Sequence, residues 1–207
     1  MSSRVRFSTA GDVCEAFKDL RRIAPAPGDA SAPLDYVRRL LASRRPIDAI
    51  AFLAHVLPRR EAVWWARQCV GATLGPRAED EALRVADAWV RAPEEERRRA
   101  ALDVAAAGDP ERPTTWLARA AGRSGGNISA PEQKPIVAAP AACAQAANAA
   151  IVLAICAQDP RTIGAWIAAC VEAGIRFAEG GEARVIAPRP PEAAPAAREV
   201  PLAPRRE

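Results

Sequence analysis

The sequence predicts an all-α fold, an irregular array of about eight or nine helices in antiparallel hairpins. They form a single domain over residues 1–181, followed by a disordered Pro/Ala-rich tail over residues 182–207. Three observations carry this expectation. Fifty of the 207 residues are alanine while Phe, Tyr and Trp together reach 5%, a balance that suits closely spaced helices and starves a β-sandwich of branched and aromatic side chains. Prolines and glycines punctuate the chain at roughly helix-length intervals, and between them apolar residues recur three and four positions apart. Half of the residues are apolar, enough at this length for one core but thin for two.

Thr9 to Leu20 reads as the first helix, with Ser8 or Thr9 as cap and Val13, Phe17 and Leu20 on one face; Pro25, Pro27 and Gly28 close it. A second helix over 32–43 takes Ser31 as cap and Pro33 in its first turn, and aligns Leu34, Val37 and Leu41. Pro46 opens a third, whose apolar face of Ile47, Ile50, Ala51, Leu53 and Ala54 continues to Leu57. Pro58 stops it and starts a fourth that reaches Leu74, before Gly75-Pro76. With almost nothing joining them, the third and fourth helices are expected to fold back as a hairpin. A fifth over 78–91 sets Glu79, Asp80 and Glu81 at its positive end and buries Leu83, Ala86, Trp89 and Val90. The sixth has Pro93 in its first turn and Gly108 at its end, which makes a second hairpin. A short seventh begins at Pro113 or Thr114 and stops at Gly122; Arg123–Pro131 has no helical periodicity and reads as a turn or exposed loop. The last two helices, over 140–157 and 160–179, are divided by Asp159-Pro160, a cap followed by a first-turn proline, and Gly180-Gly181 ends the second.

A formal charge of +4 and a pI near 9.1 do not make this a nucleic-acid binder. Arg97-Arg98-Arg99 directly follows Glu94-Glu95-Glu96, so i,i+4 pairing predicts a self-neutralising solvated face instead of a phosphate stripe. Cys14, Cys69, Cys143, Cys156 and Cys170 are odd in number and widely spaced, and read as small buried hydrophobes in a reducing compartment. A zinc site from Cys143, Cys156, Cys170 and His55 fits no ligand spacing, so no metal and no cofactor are expected. The amino terminus lacks a secretory apolar run, which points to the cytoplasm. Pro135 to Gln158 carries no charge, but its alanines and Pro140, Gln145, Asn148 and Gln158 make a buried helix the expectation and not a membrane span.

The segment from Leu57 to Val70 stands out because it packs two adjacent tryptophans against Arg59, Arg60 and Glu61. Neighbours on a helix diverge by about 100°, so Trp64 and Trp65 cannot both enter one core. One is expected to reach a second surface. The loop residues Ser124, Gly125, Gly126 and Asn127 are expected beside that helix end, completing one partner-binding surface with Arg59, Arg60, Glu61, Trp64 and Trp65. Successive N–H groups of Gly125-Gly126-Asn127 suit an anion nest, yet no glycine–lysine phosphate signature accompanies them and a plain connector is the simpler reading.

Leu57–Ala66, Glu111–Ala118 and Gly122–Asn127 together resemble an uncharacterised proteobacterial family of cytoplasmic proteins of this size. Its members are found near type VI secretion and forkhead-associated signalling genes, and some are mislabelled twin-arginine translocation signal proteins. The likeness spans Phe7 to Gly181. Arg21-Arg22 precedes no apolar h-region, so the twin-arginine label does not fit this chain. The resemblance implies a secretion-linked accessory and carries over no catalytic residue. The expected function is therefore non-enzymatic protein–protein interaction, with a protein partner and neither nucleic acid nor a membrane span. The alternatives are a toxin-neutralising immunity protein and a hydrolytic enzyme built on Ser124, Asp or Glu residues and His55, although nothing around Ser124 resembles a nucleophile elbow.

Overall fold

A computed structural model describes residues 3–43, 45–130 and 132–189 of the chain. Nine α-helices run through the described residues: α1 Ala10–Ala16, α2 Pro33–Ala42, α3 Pro46–Val56, α4 Arg59–Leu74, α5 Glu81–Arg91, α6 Glu95–Ala107, α7 Pro113–Gly122, α8 Ala142–Cys156 and α9 Ile163–Ala178. Short 3₁₀ turns at Lys18–Arg22, Gly75–Ala78 and Pro160–Thr162 join some of them. The all-α expectation holds.

Alanine decides the layout. Six of the nine buried positions of α8 are alanine, the others being Cys143, Ile151 and Ile155, so neighbouring backbones can approach it closely. It lies at the centre, packed against α3, α4 and α7, with α1, α2 and α9 on the α3 side and α5 and α6 on the α7 side. Burying these faces is what stabilises helices too short to persist alone.

Several helix starts differ from the sequence expectation for local reasons. Thr9 caps α1 through a full capping box: its Oγ1 accepts from Asp12 N–H at 3.1 Å, and the Asp12 carboxylate accepts from Thr9 N–H at 2.8 Å. That helix nevertheless ends at Ala16, and Leu20 is buried from the 3₁₀ turn. Asp80 is the cap of α5, accepting from Leu83 N–H at 2.9 Å, so Glu79 lies outside the helix. Glu94 is extended and caps α6, which places Pro93 two residues before its first turn. Ala32, not Ser31, caps α2. At the other end of its helix, Gly122 closes α7 as expected.

The hairpin expected of α3 and α4 does not form as such. Leu57 and Pro58 are both extended at the corner, and α3 lies on α2, α8 and α9 while α4 lies on α8, α7, α5 and α9. The reason is α9, which presses Gly174 between Leu53 of α3 and Trp65 of α4. By contrast α5 and α6 do pack together, as expected.

Packed chain continues past Gly181, since Ala183 is buried and Val185 lies against the core. The tail from residue 190 onward lies outside the described residues. Four of the cysteines are buried, but Cys156 is exposed at the end of α8. Among the described residues no helix is long and apolar enough to cross a membrane.

Candidate functional site

The amino end of α4 is exposed at Arg59 and Arg60 and then turns its next residues to opposite sides. Trp65 enters the core completely and its indole N–H donates to the Cys170 carbonyl of α9 at 2.9 Å. Trp64, one residue earlier, is half-buried. The division expected of adjacent tryptophans is present, and it removes Trp65 from any partner surface: a fully enclosed indole cannot touch another molecule.

On the Trp64 side lies an open groove of about 340 Å³ lined by Arg4, Arg60, Glu61, Trp64, Val90, Arg91 and Phe177. Its base is fixed. Arg60 spends its guanidinium on the end of α5, with Nε donating to the Val90 carbonyl at 2.7 Å and Nη2 to the Arg91 carbonyl at 3.3 Å, where a cation offsets the negative helix end. Arg4 donates to the carbonyls of Phe177 and Gly181 and stacks over the Phe177 ring, 4.2 Å from its centroid. Arg91 is exposed on the rim.

On the Arg59 side lies a second, partly enclosed cavity of about 280 Å³. Phe7, Phe17, Leu57 and Ala144 supply apolar wall, His55 lies at the buried side, and Arg6 and Arg59 stand at the exposed one. His55 is 2% exposed, contacts the carbonyl of Ala51 through Nδ1 at 2.7 Å, and packs edge-on against Phe17. Desolvation holds its pKa below the ordinary value, while the Ala51 carbonyl pulls weakly the other way.

The loop after α7 does lie beside α4: a side chain at Gly125 would begin 3.3 Å from Arg59 Nη1. Its other residues are committed internally. Ser124 is buried and its N–H donates to the Ala121 carbonyl at 3.2 Å. The Asn127 carboxamide oxygen accepts from Ser129 N–H and Oγ and from Ile136 N–H, between 2.7 and 3.0 Å, which folds the loop on itself. Gly126 has φ +65, a conformation glycine adopts without strain, and sits against the Arg98 guanidinium.

Arg98 is the residue that sequence reasoning misplaced. Far from lying on a solvated face, it is 4% exposed, pairs with Glu95 at 2.6 Å, and donates to the carbonyls of Gly122 and Asn127 at 2.7 and 2.8 Å. Glu95, three residues away, is its partner; the expected i,i+4 contact from Glu94 is not made, although Arg99 does meet Glu95 at 3.5 Å. The signal available was that Arg98, Ala101 and Ala105 share one stripe of α6. Arg4, Val90, Arg91 and Phe177 were also missed as groove residues, because they converge from the amino-terminal segment, α5 and α9. Ser124 and His55, paired in the hydrolase alternative, do not share a cavity: Ser124 is absent from the lining around His55.

Fold and surface together define an all-helical domain with a basic groove and a small cavity on either side of one helix start. The chain belongs to DUF6931, a family of unknown function, whose pattern matches residues 36–178. That span takes in α3 to α9 and all but the start of α2, and leaves Arg4, Arg6, Phe7 and Phe17 before it. No curated protein and no solved structure matches the chain.

Proposed function

We propose that the protein works without catalysis, by docking a protein partner in the groove around Trp64 as a cytoplasmic accessory of bacterial type VI secretion. The carrying observation is the half-buried indole of Trp64, presented on a fixed base and next to the exposed Arg91. Tryptophan and arginine are the side chains most enriched where binding energy concentrates, and a rigid pocket spares the ordering cost of binding. Arg4, Arg60 and Arg91 outnumber Glu61 around the groove, so the partner surface that fits is an apolar anchor rimmed by acidic residues. The secretion setting rests on the family resemblance and places candidate partners among components of that apparatus.

The test compares proteins recovered by affinity purification and mass spectrometry from the native bacterium, using wild type and a Trp64→Gln/Arg91→Glu variant. Circular dichroism and a thermal melt establish that the variant is folded. Loss of specific partners from the folded variant is the expected result, and recovery of the same set refutes docking at this groove. Partners lost from the variant but foreign to secretion would leave docking standing and overturn the type VI placement.

A further inference from the structure

The cavity beside Arg59 holds charge that the protein does not neutralise. Among the described residues neither Arg6 nor Arg59 has a carboxylate within 4 Å or a hydrogen-bond acceptor for its guanidinium. The nearby Cys143 does not compensate them. Its thiol is fully enclosed and pushed up to about 12 by burial, with the fields of Arg59 and Arg6 opposing that rise too weakly to ionise it. Arg6 and Arg59 therefore both bring positive charge to the rim of this cavity.

Opposite them, His55 offers a directional partner. A carbonyl only accepts, so the 2.7 Å contact to Ala51 places the ring proton on Nδ1 and leaves a lone pair on Nε2. Nε2 has no protein partner among the described residues, and the imidazole lines the cavity although it is only 2% exposed. Phe7, Phe17 and Leu57 line the same cavity with apolar surface, Phe17 edge-on to the His55 ring. A volume of about 280 Å³ suits a small ligand or the last residue of a chain.

We propose that this cavity binds a carboxylate whose adjacent carbon carries an apolar side chain and an N–H donor. That chemistry is shared by a polypeptide C-terminus and a free N-acyl amino acid. The carboxylate meets Arg6 and Arg59, the N–H donates to His55 Nε2, and the side chain lies on Phe7 and Phe17. Each element of the ligand answers one feature of the wall: two cations without a carboxylate partner among the described residues, one of them, Arg6, 5.2 Å from the Phe7 ring centroid, one free acceptor and apolar surface. The inference does not depend on partner docking at Trp64, which faces the other side of α4.

Calorimetry on the full chain with N-acetyl-L-leucine and N-acetyl-L-leucinamide tests it, together with a short leucine-terminated peptide carrying either a free or an amidated end. The ring signals of His55, the sole histidine, are followed by NMR in parallel. The acid is expected to bind at least about tenfold more tightly than its amide, with movement of the His55 signals, and Arg6→Gln/Arg59→Gln should weaken it by a similar factor. Both arginines are exposed, so the double variant should melt as wild type does. Binding of the free-ended peptide alone identifies a polypeptide terminus as the ligand; binding of N-acetyl-L-leucine as well shows that a free acid suffices. Equal affinity for acid and amide, unmoved His55 signals, an unaffected double variant, or no binding of either acid at millimolar concentration overturns the proposal.

Discussion

Gly174→Ala isolates the close approach of α9 to α3 and α4. A methyl group at Gly174 would begin 2.6 Å from Leu53 Cδ2 and 2.7 Å from the Trp65 indole. Carbon atoms rest at about 3.5–4.0 Å, so each neighbour must retreat by about 1 Å. Neither has room: both are fully buried, and the indole is also held by its hydrogen bond to Cys170. Overpacking of this kind costs about 1–3 kcal/mol, against a helix-propensity gain of up to about 1 kcal/mol for replacing glycine. The same substitution at Gly164 separates the two effects, because Gly164 lies in the same helix with nothing within 4 Å of the added atom. Thermal and urea unfolding should place Gly174→Ala below Gly164→Ala by about 1–3 kcal/mol, or by roughly 2–4 °C for each kcal/mol. Equal stability of the two variants would refute the claim that α9 is wedged in contact at this point.

Arg98→Met should cost about 2–4 kcal/mol, because the carbonyls of Gly122 and Asn127 lose a buried charged donor while the exposed Glu95 remains hydrated. Hydrogen exchange should quicken first at Ile128 and Ala138, whose amides hold the loop closed. His55 introduces a pH dependence of known sign. Its folded pKa lies below 6.5, so the unfolded chain takes up the proton first. Stability is therefore full above pH 6.5 and falls as the pH drops from there toward the folded value. In His55→Leu the slope within that window should vanish in a series of thermal melts. Alkylation of the native protein with iodoacetamide should modify Cys156 alone, with Cys14, Cys69, Cys143 and Cys170 reacting only on unfolding; mass spectrometry of the peptides decides it.

What could be read from residue order was whatever depends on neighbours along the chain. The helices, the Thr9 cap, and the divergence of Trp64 from Trp65 follow from spacing and local chemistry. Which tryptophan is enclosed does not, because it is decided by Gly174 and Cys170, more than 100 positions later. The task of Arg60 was equally hidden, since the carbonyls it holds belong to the end of α5. Arg98 was misread for a different reason. Charge pairing along α6 accounts for the arginine triplet on paper, and that sufficiency concealed the small-residue stripe below it. The cavity beside Arg59 takes Arg6 and Phe7 from a segment without periodicity, where a sequence carries no signal of side-chain direction.

The central position of α8 sets an unusual kind of constraint. A helix that meets α3, α4 and α7 mostly through methyl groups contributes little grip at any one position. It limits its neighbours by the size ceiling it imposes on itself. Substitution along its inward faces should therefore be governed by what is too bulky to enter, leaving serine or glycine as the tolerated exchanges and closing the helix to valine, leucine and anything larger.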